Sequence, residues 1–147
     1  GLEHRQEWVA EIDGIVFIND SKATNAEATS KALSVYTSVY WIAGGVSKSD
    51  GIDLLKPYFP QIREAFLFGQ AETEFATTLD GAIPYSLCHT LDVAVEQAYK
   101  AVKKSPSGKG VILFSPACAS FDQFQDFEHR GRTFKQLVHQ LKGLCSV

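Results

Sequence analysis

No apolar run in this 147-residue chain approaches the roughly 20 residues that a helix needs to cross a bilayer. Nor is there an excess of basic charge. The 14 Lys and Arg residues are outnumbered by 17 Asp and Glu, for a formal net charge of −3. A broad cationic face for nucleic acid is therefore excluded, and any anion site must come from a few locally placed Lys and Arg. Cysteine is sparse: Cys88, Cys118 and Cys145 are an odd, scattered set without a C-x-x-C pair. That argues against a disulfide framework or a zinc site and fits a reducing cytoplasm. His4, His89, His129 and His139 lack zinc-ligand spacing, and His129 reads as an exposed helix residue. The chain has no G-x-S-x-G elbow, no H-E-x-x-H and no G-x-G-x-x-G, so no self-contained catalytic centre is expected. Glu3-His4-Arg5-Gln6-Glu7 is polar and charged, unlike a signal peptide. Internal repeats, low-complexity tracts and long linkers are also missing. A single soluble, cytoplasmic domain over residues 1–147 is expected, without nucleic-acid or membrane partners.

What is present supports a real core: 45% of residues are hydrophobic and 12% aromatic, well outside the disordered range. Trp8 to Ile12, Asp13-Gly14 and Ile15 to Ile18 read as a hairpin, because Asp-Gly supplies the positive φ angles of a tight turn. Ile15–Ile18 is apolar throughout, as a strand buried on both faces would be; Val39–Ala43 and Val111–Phe114 also read as buried strands, Ala65–Gly69 as a further strand and Pro84–Cys88 as a weaker one. Helices are expected from Thr24, where T-x-x-E with Glu27 makes a capping box, to about Leu33, and over Glu72–Leu79. A short helix carrying Leu54, Leu55, Tyr58 and Phe59 is punctuated by Pro57 and Pro60. The clearest helix starts at Thr90, with Leu91, Ala94, Val95, Ala98 and Val102 on one face and lysines at its carboxyl end. A last helix carries Phe127, Phe134, Leu137, Val138 and Leu141 and stops at Gly143. Strands alternating with helices predict an α/β, Rossmann-like domain: a mostly parallel sheet, helices on both faces and an N-terminal antiparallel hairpin strand.

Three polar loops follow three of the buried strands: Asn19–Asn25, Gly44–Gly51 and Ser115–Asp126. In a parallel sheet all three lie at one edge, where ligands bind. On the residues alone each loop has a plain reading as well as a functional one. Thr24 is a helix cap, Lys22 a solvated lysine and Asp20 a turn residue, although a cap and a ligand contact are compatible. G-G-V-S-K-S-D-G fails the phosphate-loop spacing, which favours Lys48 as a surface lysine. Ser115 and Ser120 turn the chain. Cys118 has no neighbouring His and reads as packing rather than as a nucleophile.

The run S-P-A-C-A-S-F-D-Q-F-Q-D-F-E-H-R-G from Ser115 to Gly131 closely resembles the carboxy-terminal motif of the Mur ligases of peptidoglycan synthesis. The likeness extends over nearly the whole chain, through His4-Arg5, N-D-S-K-A-T-N at Asn19–Asn25 and G-G-x-x-K at Gly44–Lys48. Sister ligases and the folate polyglutamylating enzymes share the domain but differ in the first loop, so the pattern here points to the D-glutamate-adding branch. The resemblance implies the last of three domains, with the UDP-sugar-binding domain and the central domain that grips ATP and Mg²⁺ absent from this chain.

It further implies an ATP-dependent amide ligase acting on UDP-N-acetylmuramoyl-L-alanine and D-glutamate through an acyl phosphate. Lys48, Thr24 and Ser120 would hold the carboxylates of D-glutamate, with backbone groups at Phe121 and Phe127 completing the pocket. The family usually has leucine where Phe121 stands. Arg5 and Asp20 would reach ATP, and Lys22, the catalytic candidate, would lie near the transferred phosphate. No metal would be ligated by this domain, which would be inactive by itself. The competing expectation is a stand-alone Rossmann-like module that binds a nucleotide or acidic metabolite without catalysis.

Overall fold

Residues 2–145 are described by the structure, a computed structural model, with side chains described as far as Gly143. The thiol of Cys145 therefore lies outside the described residues. The chain opens with β1 (Glu7–Ile12) and β2 (Ile15–Asn19), joined by Asp13 and Gly14 at φ 53° and 82°, the hairpin turn that Asp-Gly predicts. Then follow α1 (Ala26–Leu33), β3 (Val39–Gly44), β4 (Val46–Ser47), a 3₁₀ helix over Asp53–Gln61 and β5 (Ile62–Phe68). The chain continues through α2 (Glu72–Leu79), β6 (Tyr85–His89), α3 (Leu91–Lys104), β7 (Gly110–Phe114), β8 (Cys118–Ala119) and α4 (Phe127–Cys145).

Six strands form one sheet in the order β1-β2-β7-β3-β5-β6. Only the β1–β2 pair is antiparallel; β2–β7, β7–β3, β3–β5 and β5–β6 are all parallel. The two-residue periodicity of the central strands divides the core cleanly. Trp41, Ala43, Ala65, Leu67 and Leu113 face α1 and α2, whereas Tyr40, Ile42, Phe66, Phe68, Ile112 and Phe114 face α3 and α4. A strand that feeds both cores has no polar side, which is why these segments read as unbroken apolar runs.

The expected fold class is the observed one, with local differences. The cap of α1 is Asn25, whose side chain accepts from the Ala28 N–H at 2.8 Å, so the helix begins one residue later than the Thr24 capping box predicts. Asparagine outranks threonine as a cap, and the change frees the Thr24 hydroxyl. The Pro57–Pro60 segment is 3₁₀ rather than α-helical, because each proline removes a donor from an i→i−4 ladder. Helix α4 runs past Gly143. Finally, β4 and β8 form a small antiparallel pair that nothing in the apolar pattern announces.

Candidate functional site

Strands β2, β7 and β3 are consecutive neighbours in the sheet, so the loops leaving their carboxyl ends must be neighbours too. Main-chain hydrogen bonds stitch them together. The Asp20 N–H donates to the Phe114 carbonyl (2.7 Å), the Ala117 N–H to the Ala23 carbonyl (3.0 Å) and the Gly44 N–H to the Pro116 carbonyl (3.1 Å). The β4–β8 pair then sets Val46 against Ala119 and Ser47 against Cys118. Gly45 allows this approach: at φ 129°, a Cβ there would fall 2.3 Å from the Ala119 carbonyl oxygen. The convergence expected of the three polar loops is thus built from their own backbones.

One side of this junction is a cleft of about 240 Å³ lined by Arg5, Gln6, Asp20, Lys22, Ala23, Ala28 and Lys31. It exists because the N-terminal segment folds back onto the first loop. The Lys22 N–H donates to the His4 carbonyl at 2.9 Å, and the Gln6 N–H donates to Asp20 Oδ1 at 3.0 Å, bracketing Arg5. Asp20 is buried and also accepts from the Ser115 hydroxyl at 2.7 Å. Desolvation pushes its carboxyl up to about 6, against the opposing pull of Ser115, the Gln6 N–H and Arg5. Arg5, Asp20 and Lys22 therefore share one cleft of three cations around one carboxylate. Lys31, from the last turn of α1, is its unanticipated member; no local motif marks a lysine that reaches the cleft from a helix end.

The other expected residues lie along the junction and not in that cleft. Thr24 is half-buried beside Ala23, whose carbonyl holds Ala117. Lys48 is exposed, directly after Ser47, and its charge reaches the Cys118 thiol. Ser120 is buried next to Ala119, while the Phe121 side chain is 72% exposed. Phe127 opens α4, and its carbonyl accepts from the Ser21 hydroxyl at 2.7 Å. Its N–H lies in the first turn of the helix, where intrahelical acceptors are missing. Burial pushes the Cys118 thiol up to about 12, so it remains a thiol and a packing residue at neutral pH.

Two residues that the loops depend on had no role assigned from the sequence. Arg130 is fully buried and donates to Ser21 Oγ (3.0 Å), the Ser21 carbonyl (2.7 Å) and the Cys118 carbonyl (2.9 Å). His4 is buried against Asn19, which donates to its Nδ1 from 3.0 Å, and it packs edge-on against Phe127. Position 131 must be glycine for this, because a Cβ there would fall 2.1 Å from His4 Nδ1. His129 is half-buried rather than exposed, with its Nδ1 3.2 Å from the Gln125 N–H. A larger cavity of about 680 Å³, lined by Tyr40, Arg63, Glu64 and Lys104 among others, lies elsewhere, and no residue of the three loops contributes to it.

The described residues contain no cluster of three or more His, Cys, Asp or Glu side chains able to hold a metal ion. No described helix is long and apolar enough to cross a membrane.

Known proteins resemble this chain. The profile of the family "Mur ligase, glutamate ligase domain" matches residues 4–118. The chain is 56% identical over 141 residues to the UDP-N-acetylmuramoylalanine--D-glutamate ligase of Rhodospirillum rubrum, covering 96% of this chain and 30% of that protein. It is 52% identical over 147 residues to the ligase of the same name from Rhodopseudomonas palustris strain HaA2, covering 100% of this chain and 32% of that protein. The chain thus spans about a third of the length of these relatives. The crystal structure of a bifunctional folylpolyglutamate synthase/dihydrofolate synthase from Yersinia pestis CO92 superposes with a TM-score of 0.58 at 18% identity, covering 97% of this chain and 32% of that one. At that identity the likeness is one of fold. The family profile and the relatives carry more, and on both the chain belongs to the Mur ligase family, as its glutamate ligase domain.

Proposed function

We propose that this chain is the amino-acid-carrying domain of an ATP-dependent ligase that joins D-glutamate to UDP-N-acetylmuramoyl-L-alanine in the cytoplasm. The single observation that supports this most is the arrangement of two adjoining polar regions on one sheet edge. One is a cationic cleft around Asp20, suited to a polyphosphate nucleotide. The other is a run of hydroxyl, ammonium and N–H donors from Thr24 through Lys48 and Ser120 to Phe127, suited to a dicarboxylate.

In this reading, ATP converts the substrate carboxylate to an acyl phosphate, the D-glutamate amine attacks it, and phosphate leaves from the tetrahedral intermediate. Arg5 and Asp20 face the nucleotide, with Asp20 accepting from the ribose hydroxyls. Lys22 stands at the phosphate being transferred and stabilises its charge. Lys48, Thr24 and Ser120 hold the carboxylates of D-glutamate, aided by the backbone at Phe121 and Phe127, so that the amine is presented in line. Mg²⁺ is assigned to the central domain of the intact ligase. Most of the grip on ATP and the whole UDP-sugar site also belong to the rest of the protein. Residues 1–147 alone should therefore not turn over.

The test is phosphate release from ATP by the full-length parent protein with UDP-N-acetylmuramoyl-L-alanine present. Turnover with D-glutamate, and not with L-glutamate or without an amino acid, is the expected result. Equal or absent turnover in a folded preparation would mean that these loops serve another substrate, and would return the stand-alone nucleotide-binding or metabolite-binding module to contention.

A further inference from the structure

Ser120 sits in a turn whose shape is set partly from outside the third loop. Its carbonyl accepts from the N–H groups of Gln123 (3.3 Å) and Phe124 (3.0 Å), closing the turn around Phe121 and Asp122. The side chains of Asp122 and Gln123 then reach across to the carboxyl ends of β5 and β6. Asp122 Oδ2 accepts from the Gln70 N–H at 3.1 Å, and Gln123 Nε2 donates to the His89 carbonyl at 2.9 Å. These anchor points are themselves braced. The Gly69 N–H donates to the same His89 carbonyl (3.1 Å), and Glu72 accepts the His89 N–H at 2.9 Å. The Ala71 N–H donates to the Gly45 carbonyl at 2.9 Å, so the Gly69–Ala71 corner holds the second loop as well as the third.

The tether is costly. Asp122 Oδ1 is buried and, among the described residues, is the one buried side-chain oxygen without a hydrogen-bond partner. The corner is also tight: a Cβ on Gly69 would fall 2.4 Å from Asp122 Oδ2. Stability optimisation alone does not favour an unpaired carboxylate oxygen beside a substrate loop, whereas fixing the geometry of a site does.

We propose that Asp122, supported by Gln123, is a positioning residue for the amino-acid substrate. By fastening the turn to Gln70 and His89, the two side chains set where the Ser120 hydroxyl and the Phe121 backbone stand. This inference rests on the proposed role of Ser120 and Lys48 in holding D-glutamate.

The experiment measures KM for D-glutamate, ATP and the UDP-sugar substrate, together with thermal unfolding, in the full-length ligase carrying Asp122→Ala, Asp122→Asn, Gln123→Ala or Lys48→Ala. Asp122→Ala should raise the D-glutamate KM about tenfold and leave the ATP KM within about twofold. Asp122→Asn keeps an acceptor for the Gln70 N–H and should restore the D-glutamate KM to within about threefold. If Asp122→Ala instead lowers the melting temperature and shifts all three constants together, Gln123→Ala decides. That side chain is exposed, and its loss should raise the D-glutamate KM about threefold without unfolding. An unchanged D-glutamate KM in Gln123→Ala then overturns the proposal. So does an unchanged D-glutamate KM in Asp122→Ala when Lys48→Ala raises it. If Lys48→Ala itself leaves the D-glutamate KM unchanged, the functional reading fails and takes this inference with it.

Discussion

Arg130 in α4 donates through Nη2 to the carbonyl oxygen of Ser21, 2.7 Å away and 109 residues earlier in the chain. The same guanidinium reaches Ser21 Oγ and the Cys118 carbonyl, and its Cζ lies over the Phe114 ring, 5.9 Å from the centroid. Ser21 Oγ in turn donates to the Phe127 carbonyl. One side chain therefore holds the first loop, the third loop and the start of α4 in register. Among the described residues it has no carboxylate partner within ion-pair distance. Burial lowers the guanidinium to about 10, which still leaves it charged at neutral pH. The three bonds leave from three different nitrogens, a spread that a planar guanidinium provides and a single ammonium nitrogen does not.

Arg130→Met should therefore cost about 3 kcal/mol of stability, since it strands two buried carbonyls and takes one of its two partners from the Ser21 hydroxyl while keeping much of the packing. Arg130→Lys keeps the charge but not the fork, and should lose roughly half as much. Urea unfolding of the 147-residue chain measures both. A loss below about 0.5 kcal/mol in Arg130→Met would show that the loops hold their register without the guanidinium.

The raised Asp20 carboxyl makes a signed prediction. Its folded-state value of about 6 lies above the ordinary 3.8, so the folded chain binds this proton more tightly than the unfolded chain does. Ionised Asp20 then costs the fold about 3 kcal/mol at pH 7. That cost fades as pH falls from 6 towards 4 and is gone below the unfolded value. Glu7 has the opposite sign: it is held below its ordinary range, where the Asn19 amide, the His4 N–H and Lys135 outweigh its desolvation. Its contribution is lost on acidification. The informative quantity is thus the difference between wild type and Asp20→Asn, measured from pH 4 to 8. The substitution should stabilise the chain at pH 7 and have no advantage at pH 4; parallel curves would contradict the burial argument.

How much of this was legible in advance follows the physics of each feature. Period and punctuation exposed the strands, the Asp-Gly hairpin and α3, because one face or both faces of each must be apolar. The three loops were legible because a parallel sheet forces strand ends to one edge. Arg130 was not, because a buried arginine and a surface arginine look alike in a helical stretch, and its acceptors are 12 and 109 residues away. The β4–β8 pair is too short to leave an alternating pattern. The cap of α1 slipped by one residue because Thr24 and Asn25 are both competent caps and adjacent. The roles proposed for Lys22 and Lys48 rest on family resemblance, since the spacing of each lysine alone favours the surface.

Gly131 and His4 are close enough to be tested as a pair. In Gly131→Ala the new methyl must displace the His4 imidazole, at a cost of about 1–3 kcal/mol for overpacking. The movement would also disturb Arg5, the next residue, and the His4 carbonyl that holds Lys22. Adding His4→Ala to Gly131→Ala removes the obstruction, so the double variant should lose less stability than the two single changes summed. Strict additivity in unfolding measurements would contradict the contact.

Lys22 and Lys48 occupy different regions of the site, and their removal should fail in different ways. Lys22 lines the cleft with Arg5 and Asp20, where the proposed reading places the transferred phosphate. Charge developing on that phosphate is greatest in the transition state, so Lys22→Ala should lower kcat by about 10²–10³ with smaller effects on KM. Lys48 follows the strand that pairs with Cys118; in the proposed reading it holds a D-glutamate carboxylate, which is present equally in ground and transition states. Lys48→Ala should therefore raise the D-glutamate KM by about 10-fold to 100-fold and leave kcat at saturation nearly intact. Steady-state kinetics of the full-length parent protein, with each proposed substrate varied in turn, separates the two patterns. If both variants lose kcat alone, Lys48 belongs with the reacting phosphate and the division of the sheet edge into two regions is wrong. If both raise only the D-glutamate KM, the cleft around Asp20 holds the amino acid rather than the nucleotide.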